Sequence, residues 1–249
     1  CMLESRNVAV LREAVREAKK HKVQFHGIKF HPWAFNKAKE KLTLRDYFTD
    51  PVLAFCAENN LTIICELPNG WKDGDMRILK KMLRDYAVRV VIPHLGFNNR
   101  GFVMKFSQYI DDLTAPYRQF KQQLRKVCGI DGLYLDTAMM IDERLMKAAF
   151  EVMGEERIVW GDDYPYGLTH KIKELRPSEK VFAKDLFHIV NNQSAKVEDV
   201  WKYYYNVYQQ IKTIKDVANQ LTIKKSKTFA AKVFCNSALQ AFDMHYKPV

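Results

Sequence analysis

Arg157-Ile-Val-Trp-Gly-Asp-Asp-Tyr-Pro165 decides the fold. It is an apolar run that stops abruptly at Gly161, two carboxylates and a turn-forming proline. Strands that deliver acidic side chains at their carboxyl ends are how α/β sheets build a rim of reactive groups. Aspartate after a buried strand also serves as a plain turn or N-cap residue. The neighbouring segments have to decide between the two.

Upstream, the same unit of strand, loop and helix recurs. Apolar runs predict strands over Val23–Phe30, Leu61–Glu66, Val88–His94, Leu133–Thr137 and Arg157–Asp163. Between them lie helical patterns. Leu3, Val8, Leu11, Ala14, Val15 and Ala18 recur at helical spacing over 3–20. Asp50-Pro51 reads as an N-cap with proline in the first turn, opening a helix that stops at Asn59-Asn60. Further helices are predicted over 75–86, 116–127 and from an Asp142 cap to about 153. Five near-continuous apolar strands alternating with helices mean a parallel sheet buried on both faces. Each strand end carries a polar group: Lys29, Glu66, His94, Asp136 and Asp163. One histidine after an apolar strand is usually structural. Five such ends converge on one rim, and that regularity favours a functional crevice.

After Gly167 the strand signal stops. Residues 177–193 and 196–220 read as helices, the second with Trp201, Tyr203, Tyr204, Tyr205 and Tyr208, a cluster that suits packing. Phe229–Phe242 reads as a last amphipathic helix. The chain therefore divides into a βα portion, 1–166, and a helical C-terminal extension, 167–249, packing on it.

The 249 residues suffice for one barrel-sized domain. No apolar run approaches the roughly 18 residues of a membrane span, and no signal-peptide pattern is present. Five scattered cysteines, never in CxxC spacing, argue against a disulfide framework or a cysteine zinc site. The expected compartment is cytoplasmic. Formal charge is +11, and residues 166–249 hold 14 Lys/Arg against 7 Asp/Glu. Those cations are dispersed at helical spacings, which suits a solvated face rather than a nucleic-acid patch.

Four motifs then line up in order: Gly27-Ile-Lys-Phe-His-Pro32, Val91-Ile-Pro-His-Leu-Gly96, Leu133-Tyr-Leu-Asp-Thr-Ala138 and Gly161-Asp-Asp-Tyr-Pro165. Together with Cys235-Asn-Ser-Ala-Leu239 they resemble the amidohydrolase-related branch of the amidohydrolase superfamily, metal-dependent TIM-barrel hydrolases and decarboxylases. The resemblance implies a (β/α)8 barrel in which the visible strands correspond to strands 4 to 8. It implies one or two divalent ions at the carboxyl rim, zinc first and manganese as the alternative. Asp163 matches the strand-8 aspartate, a metal ligand that takes the proton of the attacking water. His94 matches the strand-6 histidine and Glu66 stands where the strand-5 ligand is expected. Lys29 and Arg100 are the candidates for holding an anionic substrate, a small carboxylate or cyclic compound. Imidazole and carboxylate donors suit zinc or manganese, and a neighbouring carboxylate can act as general base.

Three features depart from the family pattern. None of the seven histidines forms a His-x-His pair. Glu66 replaces the strand-5 histidine, and Asp162 replaces the usual serine before the strand-8 aspartate. Strands 1 to 3 have no counterpart, and a parallel barrel does not close on five strands. An upstream segment or a partner is therefore expected, and exposed strand edges favour a homo-oligomer. Two other readings stay open: a catalytically degenerate relative acting as a binding or scaffolding module, and a basic nucleic-acid-binding module.

Overall fold

The computed structural model describes residues 7–30, 42–67, 70–71, 73–96, 114–138, 140, 143–161, 170–172, 203–221 and 228–244. Five strands form one parallel sheet in chain order: β1 (Gly27–Phe30), β2 (Thr62–Cys65), β3 (Val90–Ile92), β4 (Leu133–Asp136) and β5 (Ile158–Val159). The helices are α1 (Val8–Lys20), α2 (Leu44–Tyr47), α3 (Asp50–Glu58), α4 (Asp73–Arg84), α5 (Thr114–Val127) and α6 (Glu143–Met153). At least one helix follows each of the first four strands, the repeating unit of a TIM barrel. The α/β class expected from the sequence is the class observed.

Register separates the two faces of the sheet. Ile28, Ile63, Val90 and Leu133 align across four strands, and so do Lys29, Ile64, Val91 and Tyr134. The first row, with Cys65, Ile92, Leu135 and Ile158, packs under the helices. There it meets Leu53 and Phe55 of α3, Leu79 and Met82 of α4, Phe120 and Leu124 of α5, and Met146 and Phe150 of α6. A fully buried side chain of this size contributes about 1.5–3 kcal/mol, so this layer carries most of the hydrophobic stabilisation. The second row forms a smaller cluster of Val91, Tyr134 and Val159 with Ala241, and with Ile64, Ala238 and Phe242 at its border.

That second face is covered by the chain's last helical stretch. It comprises α8 (Phe229–Ala231), a π-helical turn (Lys232–Asn236) and α9 (Ser237–Ala241), without interruption. Trp160 N donates to Val233 O (3.1 Å), and Ser237 Oγ donates to Glu155 O (3.0 Å). At the far end the Ala241 carbonyl accepts from Thr62 Oγ1 (2.5 Å) and Arg89 Nε (2.9 Å). Arg89 Nη2 also donates to Asn60 Oδ1 (2.7 Å). A helix carbonyl left without an intrahelical partner is thus met by a hydroxyl and a cation.

Local chemistry sets the element ends. Asn7 caps α1 by accepting from Ala9 N (3.0 Å). Thr43 and Asp46 form a capping box on α2. Asp75, in the first turn of α4, accepts from Leu44 N at 3.0 Å and ties α2 to α4.

Several sequence expectations are corrected. The first strand spans Gly27–Phe30 rather than 23–30, because β2 begins only at Thr62 and offers Val23 and Phe25 no partner; they are 51% and 42% exposed. The α3 cap is Thr49, with Asp50 already inside the helix. The third strand ends at Ile92, because Pro93 has no N–H for the ladder. The fifth strand is only Ile158–Val159, because Thr137 O, the next acceptor of the ladder, is taken by Met140 N (2.9 Å). The strand signal does not stop at 167. β6 (His170–Ile172) pairs antiparallel with β7 (Tyr203–Tyr205), and α7 starts only at Asn206, ending at Gln220. Three consecutive tyrosines favour an extended backbone over a helix. The predicted helix over 177–193 and the Asp142 cap lie outside the described residues.

Candidate functional site at the carboxyl edge of the sheet

Parallel pairing brings the carboxyl ends of β1 to β5 to one edge. Lys29 lies on β1, in register with Ile64, and is exposed. Glu66 follows β2 directly and is 7% exposed. His94 follows β3 by two residues and is 1% exposed, and Asp136 closes β4. The sheet therefore gathers four of the five expected strand-end groups along one edge. Asp163, Asp162 and Arg100 lie outside the described residues. Among the described residues, no group of three or more His, Cys, Asp and Glu side chains stands close enough to hold a metal ion.

His94 is held in an unusual backbone. Pro93–Gly96 winds as a short 3-10 turn in which His94 (φ 54°, ψ 35°), Leu95 (φ 51°, ψ 24°) and Gly96 (φ 78°) are all left-handed. That conformation costs a non-glycine residue roughly 1–2 kcal/mol, so two in succession persist only where surroundings impose them. Three contacts do so here. Leu95 is fully buried. The Trp71 indole donates from Nε1 to Leu95 O at 2.7 Å. His94 Nδ1 stands 2.9 Å from Ala138 O. A carbonyl only accepts, so Nδ1 carries the proton and the lone pair of the neutral ring is on Nε2. A ring nitrogen fixed on a backbone carbonyl is the arrangement that orients metal-ligating histidines.

Ala138 is therefore a hinge between strand ends. Its carbonyl holds His94 and its N–H donates to Asp136 Oδ1. Thr137 N pairs with Val159 O (3.0 Å) and Met140 N with Thr137 O (2.9 Å). Gly161 sits so close to Asp136 that a Cβ there would run into the Asp136 carboxylate. From the C-terminal segment, Gln210 donates through Nε2 to Thr137 Oγ1 (2.8 Å) and Gly161 O (2.8 Å).

The Glu66 side of the edge is buried and acidic. Burial, then the negative charge of Glu66 and the neighbouring Cys65 and Asp75, push the Tyr47 hydroxyl well above its usual range. Burial first, then Asp75 and Glu66, pushes the Cys65 thiol upward. Glu66 and Asp75, which is 2% exposed, thus share a neighbourhood of buried groups that disfavours further negative charge. Such a field suits a cation. The donors in hand, a carboxylate and an imidazole of fixed tautomer, are of the type divalent zinc or manganese takes.

A separate groove of about 820 Å3 opens between α2, α3 and α4, with Phe48 and Leu53 among its apolar lining and Arg45, Arg77 and Lys81 among its cations. It contains none of the edge residues. Lys81 is paired there with Asp50 at 2.8 Å.

Sequence reading passed over Trp71 and Gln210, and took in Gly96 and Ala138 within the motifs without giving either a role at this edge. Gly96 was visible as a glycine just past an unusual Pro-His pair. Gln210, a polar residue in an ordinary helical stretch, carried no signal.

The amidohydrolase family model matches residues 5–174. Among curated proteins none matches. Similar solved structures include a putative 2-pyrone-4,6-dicarboxylic acid hydrolase of Pseudomonas putida, at 14% identity and TM-score 0.47, over 94% of this chain and 68% of that one. The IDCase of Metarhizium anisopliae is similar at 15% identity and TM-score 0.46, over 88% and 56%. An amidohydrolase of Bifidobacterium longum subsp. infantis is similar at 12% identity and TM-score 0.41, over 78% and 54%. The chain thus spans little more than half the length of these last two proteins. The family match takes in the whole edge from β1 to Gly161 and well over half of the 249 residues, and the chain belongs to the amidohydrolase family.

Proposed function

We propose that the protein is a metal-dependent hydrolase or decarboxylase acting on a small carboxylate or cyclic substrate. The observation that carries this reading is His94: a buried imidazole, held on the Ala138 carbonyl by a strained turn, with its lone pair on Nε2. Strain of that kind clusters at active sites.

His94, Glu66 and Asp163 would hold the ion, with zinc preferred and manganese as the alternative. When bound, the ion supplies Lewis-acid activation of water and of a substrate oxygen. The chain's own residues do the rest. Asp163 accepts the proton of the attacking water at a carboxylate oxygen. Lys29 and Arg100 hold the anionic end of the substrate. The His94–Ala138 bond keeps the ring from turning.

Metal analysis and turnover of the full-length protein test this. The expected result is stoichiometric zinc or manganese, activity lost on chelation, and activity abolished in Asp163→Asn with the fold retained. Compounds to assay include 2-pyrone-4,6-dicarboxylate, named for one of the similar structures. A metal-free protein whose activity survives chelation overturns the metal-dependent reading, and a metal-free protein without turnover favours a binding or scaffolding role. Unchanged turnover in Asp163→Asn removes that residue from the mechanism. We further propose a homo-oligomer, because β1 and β5 are the outer strands of the described sheet; a monomer in sedimentation refutes this.

A further inference from the structure

We propose that Gln210 is the positioning residue of the catalytic edge: its buried side-chain amide bridges the ends of β4 and β5 and, through Thr137 and Ala138, fixes the ring of His94. The inference rests on the proposed metal site, and it assigns a role to a residue outside the 5–174 stretch that the family model matches.

Direct pairing of β4 with β5 ends where Thr137 N meets Val159 O (3.0 Å). Beyond that point Thr137 O accepts from Met140 N (2.9 Å) instead of from β5, and the direct ladder stops. Gln210, 1% exposed, occupies that position. One amide nitrogen carries two hydrogens, and Nε2 reaches two acceptors, Thr137 Oγ1 and Gly161 O, both at 2.8 Å. The side chain thus continues the ladder by one rung. Thr137 is itself fully buried, and its hydroxyl in turn donates to Val159 O (3.4 Å).

The consequence passes to both sides. On the β4 side, Thr137 is followed by Ala138, whose N–H is taken by Asp136 Oδ1 and whose carbonyl takes His94 Nδ1 at 2.9 Å. On the β5 side, Gly161 directly precedes Asp162 and Asp163 in the sequence. Two ligand-bearing segments therefore depart from backbone that a single amide holds together. α7 itself is anchored separately, by Ile214 and Val217, both fully buried in the main core. Anchoring of α7 and clamping of the edge can be tested apart.

The test uses full-length protein with 15N-labelled histidine, and Mn2+ as the probe ion. Gln210→Met keeps the volume and removes the donors. Thr137→Val, near-isosteric, breaks the same relay at its next link. Ile214→Ala loosens the helix without touching the edge. In metal-free wild type, the His94 signals, identified by their loss in His94→Asn, should show one fixed tautomer with its proton on Nδ1. Both relay variants should move the two nitrogens toward averaged values as the tautomer is released. Both should also weaken Mn2+ binding about tenfold, the effect typical of groups that orient a ligand. Ile214→Ala should lower Tm and move neither readout. His94 signals and Mn2+ affinity unchanged in Gln210→Met and Thr137→Val, or shifted equally in Ile214→Ala, overturn the positioning role. If wild type binds no Mn2+ yet the His94 signals respond to Gln210→Met, the clamp stands and the metal site falls.

Discussion

Gly96→Ala is the substitution with the most definite consequence. Gly96 has φ 78°, and a Cβ built there would stand 2.5 Å from Trp71 Nε1, 2.6 Å from Cε2 and 2.8 Å from Cζ2. Alanine in a left-handed backbone costs roughly 1–2 kcal/mol. Trp71 is 4% exposed and cannot swing into solvent, so the indole must shift and its bond to Leu95 O is lost. A buried donor left without its partner costs about 1–3 kcal/mol. The sum is about 2–5 kcal/mol, a large share of the roughly 5–15 kcal/mol that stabilises a domain. At about 2–4 °C per kcal/mol for a chain of this size, Tm should fall by roughly 4–20 °C. Urea unfolding of Gly96→Ala, Trp71→Leu and the double variant reads the mechanism. Without the indole the clash disappears and only the backbone cost remains, so the pair should be coupled by about 1–3 kcal/mol. Additivity within about 0.5 kcal/mol, or a cost of Gly96→Ala below about 1 kcal/mol, refutes the steric account.

His94→Asn keeps a residue that tolerates left-handed φ while removing the imidazole. Zinc or manganese affinity should fall at least about tenfold, with far-ultraviolet circular dichroism unchanged; equal affinity demotes His94 to a structural role. Thr62→Val retains shape but deletes the hydroxyl that meets Ala241 O, and should cost about 1 kcal/mol in urea unfolding. The cost is limited because Arg89 Nε still reaches that carbonyl. The Lys232 clamp predicts a pH dependence. Its hydrogen bond holds the Glu156 carboxyl below the ordinary carboxylate range, and hydrogen bonds to Glu156 and Glu155 hold the Lys232 ammonium above the ordinary lysine range. The Glu156 contribution is present above the ordinary carboxylate value and is lost as pH falls through the lowered one. The Lys232 contribution is present below the ordinary lysine value and is lost as pH rises through the raised one. The Tm difference between wild type and Lys232→Met should be widest from about pH 5 to 9 and should close at both extremes. It should also be modest, because Glu156 is 70% exposed. A difference that is flat with pH refutes the assignment.

The strands and their order were legible because buried parallel strands must be apolar throughout, and Val90–Ile92 or Leu133–Leu135 admit no other reading. Strand lengths were not legible. An apolar run continues past its last rung whenever the ladder's next acceptor is taken elsewhere, as Thr137 O is by Met140 N. Tyr203–Tyr205 was misread for a related reason: a helical spacing of aromatics continued from Asn206 back across a segment that pairs as a strand. Of the candidate site, Glu66, His94 and Lys29 could be named because strand-end position alone selects them. What orients them could not, since the bonds of Ala138 to His94 and of Trp71 to Leu95 are made by backbone carbonyls, which every residue carries.

The last helical stretch and α7 bear on how far the family match accounts for the site. Residues 5–174 supply the sheet and the edge groups. Yet one face of that sheet, at Val91, Tyr134 and Val159, is closed by Ala238, Ala241 and Phe242, and the gap between β4 and β5 is bridged by Gln210. The segment that supplies the reactive groups is thus held in register by a segment that the family model does not match. Substitutions in 203–244 should therefore divide into two kinds. Those under the sheet, such as Ala241, should change stability alone, whereas Gln210 should change the edge chemistry at a smaller cost in Tm. A common dependence of Tm and Mn2+ affinity across both kinds would mean that the edge senses only global stability and that no residue of this segment positions it.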